Sequence, residues 1–220
     1  MLDDITILYY TAGVLPDHVA AKVRAHLFSI VRGLPIISVS QKPLDFGRNI
    51  CVGDIGQSYY NCYKQILIGA KVAQTDFVIC AEDDTLYPPE HFLHRPATNA
   101  FCYNKNMFYL EDEKFWHKWQ TGMFACIAPA KLLIENLEAR FAAAPVEPMP
   151  RSAQKYYWHE PGKTDGTPAE YFETKIPIIT FNYFAGLGGK AKSTVHRPMV
   201  KKGLESWGTA HDLKKEFWNE

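Results

Sequence analysis

Short apolar runs and amphipathic stripes alternate along the first part of the chain. Ile5–Tyr10, Ile36–Ser40 and Phe77–Ala81 are rich in β-branched and aromatic residues and are short enough for strands buried in a parallel sheet. Between them, Asp17–Arg32 and Gln57–Ala73 place apolar residues three and four positions apart, which predicts helices with one buried face. This order is typical of a right-handed, mostly parallel α/β sheet, whose ligands bind beyond the carboxyl ends of the strands.

The remaining sequence is less regular. We expect a loop over Gln41–Gly56, because it contains one proline and three glycines. Pro129 suits the first turn of a helix over Ala130–Ala143. Thr167-Pro168-Ala169-Glu170 has the form of a capping box, which predicts the start of another helix. Further strands are expected within Asn99–Leu110, at Gly122–Ala128 and, as the last strand, at Ile176–Phe181.

Composition is typical of a folded domain. Of the 220 residues, 47% are apolar, and 24 Lys and Arg balance 24 Asp and Glu, so we expect a single domain over residues 1–220 without a global field for nucleic acid. No apolar stretch approaches the ~20 residues of a membrane-spanning helix. Five cysteines without a Cys-x-x-Cys pattern favour reduced thiols, and the acidic start Met1-Leu2-Asp3-Asp4 does not resemble a secretory signal. We therefore expect a cytoplasmic protein.

Three acids follow the third predicted strand directly. Glu82, Asp83 and Asp84 concentrate carboxylates at the edge where such a sheet binds its ligands. Carboxylate oxygens are the ligands that hard divalent cations prefer, with waters and substrate phosphates in the other positions. A solvated acidic turn has the same composition, so the triplet taken alone leaves both interpretations open.

The residues around the triplet form a longer pattern: a Gly, a Ser and an Asn at a helix start, an Ala near its end, a strand, the acids and a Tyr-Pro-Pro. In this sequence they are Gly56, Ser58, Asn61, Ala70, Asp76-Phe77-Val78-Ile79, the triplet and Tyr87-Pro88-Pro89. With the first strand–helix–strand unit, roughly residues 5–92 resemble family-2-like glycosyltransferases with the GT-A fold. The resemblance implies an α/β fold with a mostly parallel, Rossmann-like central sheet flanked by helices. Residues 1–92 would bind the nucleotide-sugar and residues 93–220 would form an irregular acceptor-binding half.

The resemblance also implies an activity, namely metal-dependent transfer of a sugar from a nucleoside-diphosphate donor, most simply a UDP-sugar, to an acceptor hydroxyl. Asp84 would occupy the metal-binding position of the Asp-x-Asp (DXD) motif, and Glu82 the first position, near the ribose or the metal, with Mn²⁺ or Mg²⁺ as the ion. Asp83 would share either role. The ion would stabilise the charge of the departing nucleoside diphosphate.

Four more residues are donor-binding candidates. Ser58 and Asn61 belong to the matched pattern, and Tyr9 and Thr11 lie at the end of the first strand, where the base of a bound nucleotide is expected.

The sequence departs from the family pattern at two points. The second strand ends in Ser40-Gln41, where an acid that holds the base or ribose is common, and Asp45 is displaced by several residues. Glu82 stands where an aspartate is usual. Both departures leave the identity of the nucleotide and of the sugar open.

A basic segment near the carboxyl terminus adds further candidates. His196 matches the late histidine that several GT-A enzymes use as an additional metal ligand, while Lys192 and Arg197 belong to a stretch without acids that suits a diphosphate. A solvated basic tail is the alternative. Because Gly186, Gly188 and Gly189 precede the segment, we expect a lid that closes over metal and donor.

An acid near the acceptor would act as general base in an inverting enzyme. Asp165, just before the capping box, and Glu160, among aromatic residues, are the two candidates, and the sequence does not choose between them. Glu170 is assigned to the capping box. A retaining enzyme needs no such base.

The acceptor is left open by the sequence. Trp116, Trp119 and Trp158 are candidates for stacking on a sugar ring, although most aromatic residues belong to a core. A glycan, a protein, a small molecule or a modified nucleic-acid base would each fit. Two other functions compete: a nucleotidyltransferase, disfavoured because Thr11–Pro16 has a single glycine and no lysine, and a non-catalytic module that binds calcium.

Overall fold

A seven-stranded, mostly parallel β-sheet organises the computed structural model, which describes residues 4–31, 33–117, 121–143, 159–163, 165–182 and 200–218. The sheet order is β10-β6-β9-β4-β1-β2-β3. Strands β3, β2, β1 and β4 are parallel, β9 runs antiparallel to both β4 and β6, and β10 is parallel to β6. The strands are β1 (Ile5–Thr11), β2 (Ile36–Ser40), β3 (Arg48–Cys51), β4 (Phe77–Glu82), β6 (Phe101–Asn104), β9 (Cys126–Pro129) and β10 (Ala169–Phe172).

A second sheet packs beside the first. Its five strands follow the order β12-β8-β7-β11-β5, and a two-stranded hairpin of β13 and β14 lies nearby in the chain. Their bounds are β5 (Thr85–Leu86), β7 (Met107–Glu111), β8 (Lys114–His117), β11 (Ile178–Phe181), β12 (Val200–Lys201), β13 (Gly203–Leu204) and β14 (Gly208–Thr209).

Helices cover both faces of the main sheet. Helix α1 (Asp17–Val31) covers one face, and α2 (Tyr59–Ala70) and α3 (Ala130–Ala143) cover the other. Helix α4 (Ala210–Trp218) packs against α1 and the second sheet, and 3₁₀ turns occur at Pro89–Leu93 and Met123–Ala125. Alternate residues of β1 point to opposite faces, so Ile7 packs with α1 and Leu8 packs with α2 and α3. Because both faces are covered, the interior strands are almost wholly apolar, which is why they stand out in the sequence as uninterrupted runs.

Helix α2 approaches the main sheet closely at Gly69. A Cβ atom at this position would clash with Leu8 Cδ1 and would lie 3.0 Å from Val39 Cγ2. A larger residue here would require the buried Leu8 side chain to shift, so glycine suits the close packing of α2 on β1 and β2.

The structure confirms the predicted fold class, a mostly parallel central sheet flanked by helices with a less regular second half. The predicted helix over Ala130–Ala143 and the strand Ile36–Ser40 are confirmed to the residue. Helix α2 begins at Tyr59, later than predicted, because Ser58 is its N-cap.

Three predictions of secondary structure are wrong. The expected loop Gln41–Gly56 contains the edge strand β3, whose partly exposed, polar residues give no apolar run. The capping-box motif at Thr167–Glu170 leads into strand β10, which pairs with β6, and does not start a helix. Strand β11 is followed by three more short strands, so it is not the last.

Two further expectations concern helices and thiols. None of the helices in the described ranges combines the length and apolar character needed to cross a bilayer. All five cysteines are free thiols.

Candidate functional site

A pocket opens where the parallel strands β1, β2 and β4 end, facing the amino terminus of α2. It lies at the edge where a doubly wound sheet binds ligands, because loops leave the sheet there in opposite directions. Its lining residues are Tyr10, Thr11, Ala12, Val14, Gln41, Gly56, Gln57, Ser58, Cys62, Gln65, Glu82, Asp83 and Asp84.

The register of β1 against β4 places the first two acids. Tyr10 lies directly opposite Glu82, and its hydroxyl donates to Glu82 Oε1 at 2.6 Å. One residue further along, the Thr11 hydroxyl donates to Asp83 Oδ2. Glu82 is partly exposed, whereas Asp83 is only 8% exposed. Burial raises the pKa of Asp83, and the hydrogen bond from Thr11 opposes that effect.

Asp84 begins the turn after β4 and is partly exposed. Its Oδ1 accepts a hydrogen bond from the Thr85 hydroxyl at 2.9 Å, and its carbonyl oxygen accepts one from Phe181 N at 2.8 Å. The backbone of the third acid is thus tied to strand β11, while its carboxylate remains at the pocket.

All the acidic and basic side chains that line the pocket in the described ranges are acidic. Three of the lining residues are acids, and none of those in the described ranges is Lys, Arg or His. Within these ranges, no group of three or more His, Cys, Asp and Glu side chains has the arrangement of a metal centre. Glu82 and Asp84 still fit a divalent cation that takes one or two carboxylates and completes its shell with phosphate oxygens and water, as Mg²⁺ does.

The opposite wall is the start of α2. Ser58 caps the helix by accepting a hydrogen bond from Asn61 N at 3.1 Å, and its side chain is at the pocket. Asn61 does not line the pocket, because its amide donates to the carbonyl oxygens of Ile55 and Gly56 and thereby holds the preceding loop. A helix N-terminus with exposed N–H groups favours a bound anion.

Two glutamines that the sequence analysis did not select complete the pocket. Gln65 donates to the carbonyl oxygens of Thr11 and Val39, and Gln41 donates to Gly56 O while accepting from Ile55 N. They fix the loops after β1 and β2 against α2. Cys62 follows Ser58 by four residues, and Gln65 follows Cys62 by three. The helical spacing from Ser58 would therefore have identified Cys62 and Gln65, but not Gln41.

The structure separates the two candidates on β1. Thr11 lines the pocket, whereas the Tyr9 ring is fully buried in the core, 5.0 Å from the Phe46 ring centroid. Tyr10, on the other face of the strand, lines the pocket in its place. Tyr9 and Thr11 share one face of β1, so position along the strand separates them: Thr11 is the last residue of β1, at the pocket, whereas Tyr9 lies two residues further inside the sheet.

Asp165 is enclosed by hydrogen-bond donors. It pairs with Arg140 at 2.7 Å, and both side chains are largely buried, at 9% and 4% exposure. It also accepts from Asn136 Nδ2, Gly162 N and Thr167 N at 2.9, 2.9 and 3.0 Å. Burial raises the pKa of Asp165, but these hydrogen bonds outweigh it and hold that pKa well below its usual range. Such a carboxylate is a poor proton acceptor, and Asp165 does not line the pocket.

Glu160 lies beside the pocket. Its Oε2 accepts a hydrogen bond from the Tyr63 hydroxyl at 3.0 Å. Burial raises the pKa of the pocket residue Cys62, and the charges of Glu82 and then Glu160 raise it further. Tyr10 and Tyr63, whose hydroxyls contact Glu82 and Glu160, belong to the same core cluster, so the two carboxylates lie on the same side of the sheet.

The remaining candidates have other positions. Glu170 lies on β10 and accepts from the backbone N–H groups of Ala97 and Thr98 at 2.8 Å, so it holds that turn and caps no helix. Trp116 is a partly exposed residue of β8. The candidates outside the described residues are Lys192, His196, Arg197, Trp119 and Trp158. The expected lid over Leu187–Lys202 also lies outside them except for its last three residues, of which Val200 and Lys201 form strand β12 against β8.

Comparisons with known proteins find similar solved structures but no match by sequence. No protein-family model matches the chain, and no curated protein matches its sequence. Three similar solved structures are a glycosyltransferase involved in the glycosylation of the major capsid of PBCV-1 (12% identity, TM-score 0.44), TarS of S. aureus (11%, 0.46) and 2-C-methyl-D-erythritol 4-phosphate cytidylyltransferase from Thermus thermophilus (9%, 0.48).

The matched regions cover 77%, 81% and 76% of this chain, and 81%, 36% and 88% of the respective neighbours. The fold class rests on the strand order described above, and function has to be argued from the pocket.

Proposed function

We propose that the protein is a glycosyltransferase that moves a sugar from a nucleoside-diphosphate donor to an acceptor hydroxyl. The observation that carries this proposal is the pocket itself, in which the start of α2 faces Glu82 and Asp84 across the ends of parallel strands. The helix start suits an anionic ligand and the carboxylates suit a cation. A sugar nucleotide bound with a divalent cation presents both charges.

Electrostatics supports a metal-dependent reaction. A diphosphate entering a pocket lined by three acids and by no described cationic side chain would be repelled. Glu82 and Asp84 would hold Mn²⁺ or Mg²⁺, which would stabilise the charge of the departing nucleoside diphosphate. The Tyr10 hydroxyl orients Glu82 for this task, and the bond to strand β11 fixes the backbone of Asp84.

The polar groups of the pocket suggest how the donor is oriented. Thr11, Gln41 and Gln65 form the end of the pocket beyond β1 and β2, where the nucleoside would lie. Ser58 and the first N–H groups of α2 would face the phosphates. In an inverting reaction, Glu160 would accept the proton of the acceptor hydroxyl while the acceptor oxygen bonds to the anomeric carbon and the bond from that carbon to the diphosphate breaks.

Ligand-dependent stability tests the proposal. Thermal unfolding is measured with UDP, GDP, ADP, CDP and TDP, each with and without Mn²⁺, because a ligand that binds the native state alone raises its stability by about 2.7 kcal/mol at one hundred times its Kd. We expect one diphosphate to stabilise the protein with Mn²⁺ and much less without it. Asp84→Asn should abolish the Mn²⁺-dependent part, a loss on the order of 3–5 kcal/mol of binding free energy.

Asp76→Asn is the matched control. Asp76 is exposed and precedes the amino end of β4, the strand whose other end carries Glu82. The Asp76→Asn variant should bind nucleoside diphosphate and Mn²⁺ like the unmodified protein. Stabilisation by Ca²⁺ alone, with no response to any nucleotide, would contradict the proposal and identify a cation-binding module. Release of pyrophosphate from a nucleoside triphosphate and a sugar phosphate would identify a nucleotidyltransferase.

A further inference from the structure

The segment that carries Glu160 is attached to the rest of the protein by side chains from three elements. Tyr63 of α2 donates to the Glu160 carboxylate at 3.0 Å, and Tyr103 of β6 donates to Pro161 O at 2.8 Å. Arg140 of α3 donates to His159 O at 3.3 Å and pairs with Asp165 at 2.7 Å. An irregular segment is therefore held at both ends and in the middle.

Arg140 links the two ends of this attachment. Its guanidinium carbon lies 5.5 Å from the centroid of the Tyr63 ring, so the cation also packs on the residue that contacts Glu160. The Arg140–Asp165 pair is largely buried, and Asp165 accepts three further hydrogen bonds. The contacts of Arg140 fix the backbone of the segment and the ring of Tyr63 together.

We propose that Tyr63, supported by the Arg140–Asp165 pair, is the positioning residue of the acceptor side, which aims the Glu160 carboxylate at the pocket and keeps it ionised. This inference rests on the proposed function, in which Glu160 accepts the acceptor's proton. The Tyr63 side chain is only 3% exposed, and a phenol has a single proton, which it donates here to the carboxylate. A hydrogen bond donated to the ionised form of a carboxyl group favours that form.

Other titratable groups of the described ranges also face this carboxylate. Burial keeps the neighbouring phenols and thiols protonated by raising their pKa, and the charge of Glu160 adds to that effect. The groups around Glu160 are Tyr59, Cys62 and Tyr63 on α2, Cys80 on β4, Tyr103 on β6, Cys126 on β9, Arg140 on α3 and, across Cys62, Glu82.

Tyr63→Phe against Tyr103→Phe tests the inference. Each variant removes one buried hydroxyl that binds the same segment, but Tyr63 donates to the carboxylate and Tyr103 to the backbone. In Tyr63→Phe we expect the acidic limb of the pH profile of kcat/KM to move up by about one unit, which is roughly a tenfold loss below the limb. In Tyr103→Phe any loss should be the same at every pH. Equal limbs in both variants would overturn the inference.

A readout without turnover separates this inference from the proposed function. In protein labelled with ¹³C at glutamate carboxyls, the Glu160 signal is the one missing in Glu160→Gln. Its titration midpoint should be higher in Tyr63→Phe than in the unmodified protein and in Tyr103→Phe, and an unchanged midpoint would refute the role of Tyr63. If the midpoint moves but no sugar nucleotide is turned over, the proposed function is wrong, while the effect of Tyr63 on the ionisation of Glu160 is confirmed.

A second variant tests the inference if Tyr63→Phe does not fold. Incorporation of 3-fluorotyrosine at position 63 keeps the ring and the hydroxyl but makes the phenol a stronger donor. The midpoint of Glu160 should then move down, and a shift in the other direction would contradict the inference.

Discussion

The acids of the pocket and the acid beside Arg140 have the same chemistry and opposite surroundings. Glu82, Asp83 and Asp84 are placed by strand register and the turn after β4, and no cationic side chain of the described ranges lines their pocket. Asp165 is placed by side chains and is almost fully compensated, by Arg140 and by three further donors. The comparison separates an acid whose ion pair and hydrogen bonds hold a segment in place from acids that a strand end gathers at a pocket.

The largest expected effect is on turnover, and it concerns Glu160, whose surroundings are intermediate between those of the pocket acids and those of Asp165. Glu160→Gln keeps the side-chain shape but removes the proton acceptor, so turnover should fall by roughly 10²–10⁴-fold, the usual contribution of a general base. Donor affinity, measured by calorimetry, should be unchanged. Glu173→Gln, at an exposed position after β10, is the control and should behave like the unmodified protein. A product with retained anomeric configuration, observed by NMR, would remove the need for this base.

Asp165→Asn should act on stability. Breaking a largely buried ion pair costs on the order of 3–5 kcal/mol in the free energy of unfolding, which urea titration measures. Because the folded pKa lies below the ordinary value of 3.8, the unmodified protein has this contribution in full above about pH 4 and loses it as the pH falls further. The same substitution at Asp84 should leave stability unchanged or raise it. Similar costs at both positions would contradict the comparison.

His91 extends the comparison to a buried base. It is fully buried beside the rings of Tyr87 and Phe172, and neither ring nitrogen has a hydrogen-bond partner among the described residues. Burial, with a smaller effect of the His94 charge, lowers the pKa of His91 from 6.5 to about 3. Between these values the unfolded chain binds a proton that the folded protein does not. Stability should therefore fall by about 1.4 kcal/mol per unit as the pH drops from 6.5.

His91→Phe removes this titrating group and should reduce the slope of this part of the stability curve, leaving the contributions of His26, His94 and His117, whose pKa values burial also lowers. The exposed His18, changed to Gln, serves as the control and should leave the slope unaltered. Equal slopes in His91→Phe and the unmodified protein, measured by urea unfolding between pH 4 and pH 6.5, would show that another group causes the acid sensitivity.

Elements of secondary structure were predictable from the sequence where one apolar pattern determined them. Strands β1 and β2 are buried on both faces, and α1 and α3 each bury one stripe, so their positions follow from local sequence. Strand β3 escaped prediction because an edge strand needs no apolar run. The motif at Thr167–Glu170 misled because the partners of Glu170, Ala97 and Thr98, are more than seventy residues away.

The site divides in the same way. Glu82, Asp84 and Ser58 were predictable because a strand end and a helix start mark them in the sequence. Gln41 and Gln65 act through contacts between separate elements, so their roles required the structure. The different surroundings of Glu160 and Asp165 likewise depend on Tyr63 and Arg140, which belong to helices far away in the sequence.

The dimensions of the pocket depend on the small size of Gly69, which lies outside the pocket. Helix α2 is 12 residues long, a rod of roughly 18 Å, and touches the sheet at Gly69 near one end while presenting Ser58, Cys62 and Gln65 to the pocket toward the other. A larger residue at Gly69 would have to displace the Leu8 side chain or shift the helix. A shift of the helix would move the α2 side of the pocket relative to Glu82. The shape of the pocket can thus be altered, by evolution or by an engineer, at a position that does not line it.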